Sequence, residues 1–313
     1  MSFAKEVKEE IVAHTFSPEQ ALMFISGFIK HNGELIYTNN GFQLVLTSTS
    51  NAIIRNIFML LKSVYNGKIE ISILQTQMIT RKKIFQLTLV DNIKEFLIKN
   101  SLYDFENSDK IIEVIINNED INKSLIRAYI SGVFVASGSV NSPETSNYHL
   151  EFQFKDLHSA EYICRILNDF EFNFKVIAKK SKYVCYVKKS THVSDFLKFV
   201  DAGKSAMKFE NIRISRDLAN SINRVGNIDI YNQQKTSSTG LKQVQQITLI
   251  KNKHLLGELS VKAQVLANLR LQNPTASYSD LEVKMNEEGV NITKSGVSNL
   301  FKIITKIAES IGE

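Results

Sequence analysis

The chain has 313 residues and a formal net charge of +6, with 43% hydrophobic and 22% charged residues, which excludes wholesale disorder and predicts two or three domains. Two cysteines, Cys164 and Cys185, are too few for a disulfide framework or a Cys/His zinc site, and read as structural thiols in a reducing compartment. No apolar run approaches the ~20 residues of a membrane span, and the start Met1-Ser2-Phe3-Ala4-Lys5-Glu6 turns charged too early for a signal peptide, so a cytoplasmic protein is expected.

Residues 2–14 and 18–31 have helical spacing, the second helix opened by the capping box Ser17-Pro18-Glu19-Gln20 with proline at its first position. Alternating apolar residues predict a hairpin, Glu34 to Thr38 and Phe42 to Ser48, turning at Asn39-Asn40-Gly41. Helical spacing returns from Ser50 to Tyr65, with Ile53, Ile57, Leu60, Leu61 and Val64 on one face. A second hairpin follows, Lys68 to Met78 and Ile84 to Val90, through the basic turn Thr80-Arg81-Lys82-Lys83, and residues 91–99 form a short helix.

The same order then recurs. Residues 120–137 predict a helix, Asn147 to Phe154 a strand, 156–170 a helix, Asn173 to Lys179 with Tyr183 to Lys189 a hairpin, and 190–201 a helix. The body is read as two copies of αββαββα offset by about 105 residues. Antiparallel hairpins place it in the α+β class and argue against a Rossmann nucleotide-binding sheet.

From Gly203 the strand signal stops: residues 204–225 read as helix, the polar stretch Asn232 to Gly240 as linker, and helical spacing resumes at Leu241. The expected boundaries are 1–106 and 107–203 for the repeats, 204–250 for a helical and polar linker, and 251–313 for a terminal helical domain. Lys and Arg against Asp and Glu number 23 to 22 over residues 1–201 but 15 to 10 over 202–313, so the basic excess is almost wholly C-terminal and suits a polyanion partner. Lysines outnumber arginines 30 to 8, which favours phosphate attraction over bidentate guanine reading.

Aligned repeats place Ile25-Ser26-Gly27-Phe28-Ile29-Lys30-His31-Asn32-Gly33 over Ile130-Ser131-Gly132-Val133-Phe134-Val135-Ala136-Ser137-Gly138. A mid-helix glycine costs ~1 kcal/mol against alanine, so the matched pairs Ser26-Gly27 and Ser131-Gly132 predict close packing of the two helices. The nonamers resemble the paired motifs of the LAGLIDADG homing endonucleases, which implies two halves joined by these helices over a saddle of antiparallel sheets. In active members of that family the eighth motif position is an acid that holds a divalent metal; here it is Asn32 and Ser137. Metal-assisted cleavage needs hard anionic oxygen ligands, and neither residue supplies one. Glu34 is the only carboxylate near a motif end, and Val140 stands at the corresponding place in the second repeat. The body is therefore expected to be a catalytically inactive scaffold, with no metal and no cofactor.

Other chemistry is poorly represented. The six histidines, at 14, 31, 149, 158, 192 and 254, form no HExxH or metal-ligand spacing, and neither a phosphate-binding glycine loop nor a Gly-x-Ser-x-Gly elbow occurs. Lys179, Lys180, Lys182, Lys188 and Lys189 cluster at the second repeat's hairpin, the pseudo-symmetric counterpart of Arg81, Lys82 and Lys83; they suit either phosphate contact or simple solvation.

The last sixty residues predict three helices. The first, about Glu258 to Leu271, buries Leu259, Ala263 and Leu266 and stops at Asn273-Pro274; the second opens at Ser277-Tyr278-Ser279-Asp280 and points Leu281 and Met285 inward. After the turn Glu288-Gly289-Val290-Asn291-Ile292, Thr293 caps a third helix to about Ser310, completing a helix-turn-helix. Its spacing divides an apolar stripe, Val297, Leu300, Phe301, Ile304, Ala308 and Ile311, from an outer polar face. For a helix in a major groove, Ser295, Ser298 and Asn299 become candidate base readers and Lys294, Lys302 and Lys306 candidate phosphate contacts. The alternative is an ordinary three-helix bundle with a solvated face.

A degenerate LAGLIDADG-like body followed by this domain resembles the WhiA family of bacterial sporulation and cell-division regulators. Asn223-Arg224, Asn227, Asn232, Lys235-Thr236 and Lys294-Ser295-Gly296-Val297 carry the resemblance. It implies a sequence-specific transcriptional regulator, not an enzyme, linked to cell division and chromosome segregation and associated with the nucleoid. The implied partner is double-stranded DNA, with other transcription or division proteins as further candidates and no membrane or small-molecule substrate. Two alternatives compete: a metal-dependent endonuclease with unrecognised ligands, and a protein-interaction scaffold that binds DNA weakly.

Overall fold

The computed structural model describes residues 2–39, 41–75, 83–107, 109–110 and 123–312; Asn40 of the first expected turn, residues 76–78 of the expected strand Lys68 to Met78, Thr80, Arg81 and Lys82 of the second turn, and residues 120–122 of the expected fifth helix lie outside the described residues. The described chain divides into two units, residues 1–216 and 217–313.

In the first unit, α1 (Phe3–Val12) and α2 (Pro18–Asn32) precede β1 (Glu34–Thr38) and β2 (Gly41–Ser48). The α2 capping box forms as the sequence requires: the Ser17 hydroxyl accepts from the Gln20 N–H at 3.3 Å, and the Gln20 side chain accepts from the Ser17 N–H at 3.0 Å. Next come α3 (Asn51–Val64), β3 (Ile69–Gln75), β4 (Lys83–Leu89) and α4 (Ile93–Lys99). The strands form one antiparallel sheet in the order β1-β2-β4-β3. Its register pairs Leu46 with Leu87 and Thr47 with Gln86, so period-two alternation sends leucines to the core and polar residues to the opposite, open face.

The second repeat has α5 (Lys123–Ser137), β7 (Gly138–Val140), β8 (Leu150–Phe154), α6 (Leu157–Asp169), β9 (Lys175–Lys179), β10 (Lys182–Val187) and α7 (Ser190–Phe199), with strand order β7-β8-β10-β9. Each repeat is therefore the expected αββαββα unit with an antiparallel sheet. Two short features were not anticipated: the three-residue strand β7, and a small pair of strands, β5 (Tyr103–Asp104) and β6 (Asp109–Lys110), between the repeats.

One apolar core runs through both repeats. Phe24 and Phe28 of α2 and Phe134 of α5 are fully buried, and Phe134 packs on Phe152 and Phe196 at ring-centroid distances of 5.6 and 5.3 Å. Burying each such ring contributes ~1.5–3 kcal/mol. The glycines explain how the helices approach so closely. A Cβ on Gly27 would overlap the carbonyl oxygen of Tyr129, and one on Gly132 would overlap that of Phe24. The contact is reciprocal, as the matched Ser-Gly pairs predict.

A single helix, α8 (Gly203–Asn252), contributes its first residues to the first unit and its remainder to the second. Its N-terminal amides are satisfied by the Glu10 carboxylate, which accepts from the N–H of Lys204 at 2.6 Å and of Ser205 at 3.0 Å. Residues 232–240, expected as a polar linker, are helical. No proline falls between Pro143 and Pro274, so every residue there can donate its N–H, and Gln and Lys are good helix formers.

The second unit packs Ile247 and Ile250 of α8 with α9 (Val261–Gln272), α10 (Tyr278–Glu287) and α11 (Lys294–Gly312). Among the described residues, no helix is long and apolar enough to cross a membrane.

Candidate nucleic-acid interface

Two places answer to the sequence motifs: the C-terminal ends of α2 and α5, and the outer face of α11. At the first, Asn32 faces inward, its side-chain oxygen accepting from the backbone N–H of Thr47 on β2 at 2.9 Å. Ser137 donates back to the carbonyl of Val133 at 3.0 Å, one turn earlier in α5. Where the resemblance sets a metal-holding carboxylate, each side chain bonds the chain's own backbone. Glu34 is exposed on β1. Among the described residues no group of three or more His, Cys, Asp or Glu side chains converges to hold a metal.

The open faces of the two sheets differ in charge. On the second, Lys179 reaches Glu151 at 3.2 Å, Lys182 donates to the Gln153 side chain at 3.0 Å, and Lys188 lies 5.4 Å from the Tyr186 ring centroid. Burial raises the Glu151 pKa, but hydrogen bonds from His149, Gln153 and Lys179 outweigh it and hold the carboxyl below its ordinary value. On the first sheet the corresponding face carries Glu34 and Glu70, the latter paired with Lys68 at 2.7 Å.

In the second unit, α10 and α11 with the six-residue turn between them form the helix-turn-helix. Ser277 and Asp280 make a capping box that starts α10. The turn uses Gly289 at φ +82°, a left-handed conformation that suits glycine. Asn286 then clamps it: its amide donates to the Ile292 carbonyl at 3.2 Å, and its side-chain oxygen accepts from the Ile292 N–H at 2.9 Å. Thr293 caps α11 by accepting from the Gly296 N–H at 3.3 Å and shares a 2.9 Å hydrogen bond with the Ser295 hydroxyl.

The expected division of α11 is present. Val297, Phe301, Ile304 and Ala308 are buried and Leu300 and Ile311 pack partly against them, while Lys294, Ser295, Asn299, Lys302 and Lys306 are exposed and Ser298 is half-buried. The side chains of Lys294, Asn299, Lys302 and Lys306 make no hydrogen bond or ion pair among the described residues. Ile303, 47% exposed, interrupts the polar face.

Three residues that hold this unit together were not singled out from the sequence. Arg270 is 1% exposed, and its guanidinium donates to the carbonyls of Asn273 at 3.2 Å, Pro274 at 3.3 Å and Ala276 at 2.7 Å while stacking 5.2 Å from the Phe301 ring. Burial lowers its pKa. Lys262, on α9, donates to the turn carbonyl of Asn291 at 3.3 Å. Gln243 of α8 donates to the Tyr278 hydroxyl at 2.7 Å. A buried arginine carries no mark in a sequence; only the Asn-Pro stop beside Arg270, with its stranded carbonyls, hints at it.

Comparison with known proteins places these features together. Residues 18–103 match the WhiA N-terminal LAGLIDADG-like domain, residues 126–219 the WhiA LAGLIDADG-like domain, and residues 222–308 the WhiA C-terminal HTH domain. The probable cell division protein WhiA of Enterococcus faecalis is 33% identical over 315 residues, covering 100% of this chain and 99% of that one; the Lactobacillus johnsonii protein of the same name is 35% identical over 318 residues with the same coverage. Full-length DUF199/WhiA from Thermotoga maritima has the same fold, with a TM-score of 0.59 at 24% identity over 100% of both chains.

Proposed function

Given that the chain belongs to the WhiA family, we propose that it is a sequence-specific DNA-binding regulator of cell division and chromosome segregation, acting at the nucleoid of a bacterial cell. Thr293, Lys294, Ser295, Ser298, Asn299, Lys302 and Lys306 form its duplex-facing surface. The observation that carries this reading is the α11 face itself, where Lys294, Asn299, Lys302 and Lys306 are exposed and have no intramolecular partner among the described residues. Such groups exchange water for phosphate or base edges without breaking a bond inside the protein.

The LAGLIDADG-like body serves as a scaffold without nuclease activity. In support, Asn32 and Ser137 are neutral and engaged with the backbone of Thr47 and Val133. Binding to duplex fragments of the host genome, followed by fluorescence anisotropy over a salt series, tests the regulator reading. Affinity falls steeply with salt, and Lys302→Ala weakens binding and lowers the magnitude of the log–log salt slope by about 1. A salt-independent titration refutes the proposal. Incubation with supercoiled plasmid and Mg²⁺ or Mn²⁺ leaves the plasmid intact; cleavage that Glu34→Gln abolishes would instead make the body an enzyme.

A further inference from the structure

The only two cysteines of the chain stand 21 positions apart in sequence and meet in the second repeat. Cys164 projects from α6 and Cys185 from β10, whose register pairs Cys185 with Phe152 on one side and Val176 on the other. Because α6 packs on β10, the two thiols lie as neighbours in one buried cluster. Cys164 in turn donates to the Phe174 carbonyl at 3.3 Å, and the Asn168 amide donates to the Cys164 sulfur at 3.6 Å. Two reduced thiols in one buried cluster, with amide and carbonyl groups arranged around one of them, are more than packing requires; a small aliphatic side chain at either position fills the same space.

We propose that Cys164 and Cys185 are a modification site, an oxidisable pair that a hydroperoxide converts to one intrachain disulfide joining α6 to β10. The two sulfurs have different tasks. Cys164 is 9% exposed and Cys185 0%, so the oxidant reaches Cys164 first. The hydrogen bond from Cys185, and after it the one from Asn168, holds the Cys164 thiol below its ordinary pKa despite burial, whereas burial pushes that of Cys185 up. The Cys164 thiolate attacks the terminal peroxide oxygen, the O–O bond breaks, and Cys164 becomes a sulfenic acid; the leaving alkoxide, or hydroxide when the oxidant is hydrogen peroxide, takes up the proton that Cys164 released. The Cys185 sulfur, its neighbour in the same core, attacks the sulfenic sulfur. The S–O bond breaks, the S–S bond forms, and the Cys185 proton leaves with the oxygen as water. Overall two thiols are oxidised and one hydroperoxide is reduced, to two molecules of water when the oxidant is hydrogen peroxide.

The test uses the reduced full-length chain treated with hydrogen peroxide. Its intact mass falls by two hydrogens, titratable thiols drop from two to none, and the peptides bearing Cys164 and Cys185 become linked until dithiothreitol separates them. Cys185→Ser stops at the sulfenic acid, which dimedone labels at Cys164, and Cys164→Ser slows thiol loss by about tenfold or more. Persistence of both thiols in the parent chain, addition of oxygen without cross-linking, or disulfides between chains instead of within one overturns the proposal, and none of these readouts depends on a variant that folds.

Discussion

Where α2 and α5 end, Asn32 and Ser137 are committed to the backbone of Thr47 and Val133, whereas along α11 the side chains of Asn299, Lys302 and Lys306 are exposed and make no hydrogen bond or ion pair among the described residues. Both places are polar and both carry motif residues, yet they differ in what they can offer a ligand. A side chain already bonded inside the fold must give up that bond before it binds anything else, at a cost of about 1–3 kcal/mol for the partner it strands. An exposed one gives up water. Polarity alone therefore does not mark a binding face; polarity without an internal partner does.

Substitutions sharpen this contrast, and the largest effect is expected where main chain meets main chain. Gly132→Val forces a side chain into the Phe24 carbonyl and should destabilise the first unit by more than ~4 kcal/mol, read from denaturant unfolding; a loss below ~1 kcal/mol would mean that the helices can part freely. Arg270 is a cation of the second unit that belongs to the committed class. Arg270→Ala strands the carbonyls of Pro274 and Ala276, leaving that of Asn273 to the Ala276 N–H, and should cost about 3 kcal/mol, with DNA affinity falling only as far as the fold is lost.

Lys30 tests commitment through pH. It is 4% exposed beside the Tyr129 ring, and burial lowers its pKa from 10.5 to about 8. Below pH 8 both folded and unfolded chains carry its proton, and folding bears the full penalty of burying the charge. Between about 8 and 10.5 the unfolded chain holds more protons, so this penalty fades as pH rises. Lys30→Met should thus melt a few degrees above the parent at pH 7, with the gap narrowing toward pH 10; a gap independent of pH would rule out a buried charge as its cause. The smallest effect belongs to Asn32→Ala, at about 1 kcal/mol of stability and no change in DNA affinity. A large loss of affinity there would erase the distinction between the two places.

What could be read in the sequence follows the range of the interaction responsible. The capping boxes at Ser17 and Ser277 were legible because both partners lie within one turn. The pairing of α2 with α5 was legible because the Ser-Gly pair occurs twice, and the two faces of α11 because period 3.6 separates Val297 and Phe301 from Asn299 and Lys302. Strand β7 was not: three residues carry no periodicity, and Ser139 is a strand residue only because Glu151 lies opposite. Arg270 and Asn286 were equally silent, since their partners are backbone groups whose positions exist only after the unit folds. The continuity of α8 through residues 232–240 was obscured by a composition that suits linker and exposed helix alike.

The reciprocal glycines explain which parts of the repeated nonamer have been free to drift. Phe28 stands against Val133, Lys30 against Val135, His31 against Ala136 and Asn32 against Ser137, so the two copies have diverged at most positions. Ser26-Gly27 and Ser131-Gly132 have not. Where a neighbour is a side chain, a larger residue on one copy can be matched by a smaller one across from it. At Gly27 and Gly132 the neighbour is a carbonyl oxygen, which no mutation can trim; apart from the closing glycines Gly33 and Gly138, the two copies stay identical only at Ile25-Ser26-Gly27 and Ile130-Ser131-Gly132, around the point that admits no compensation.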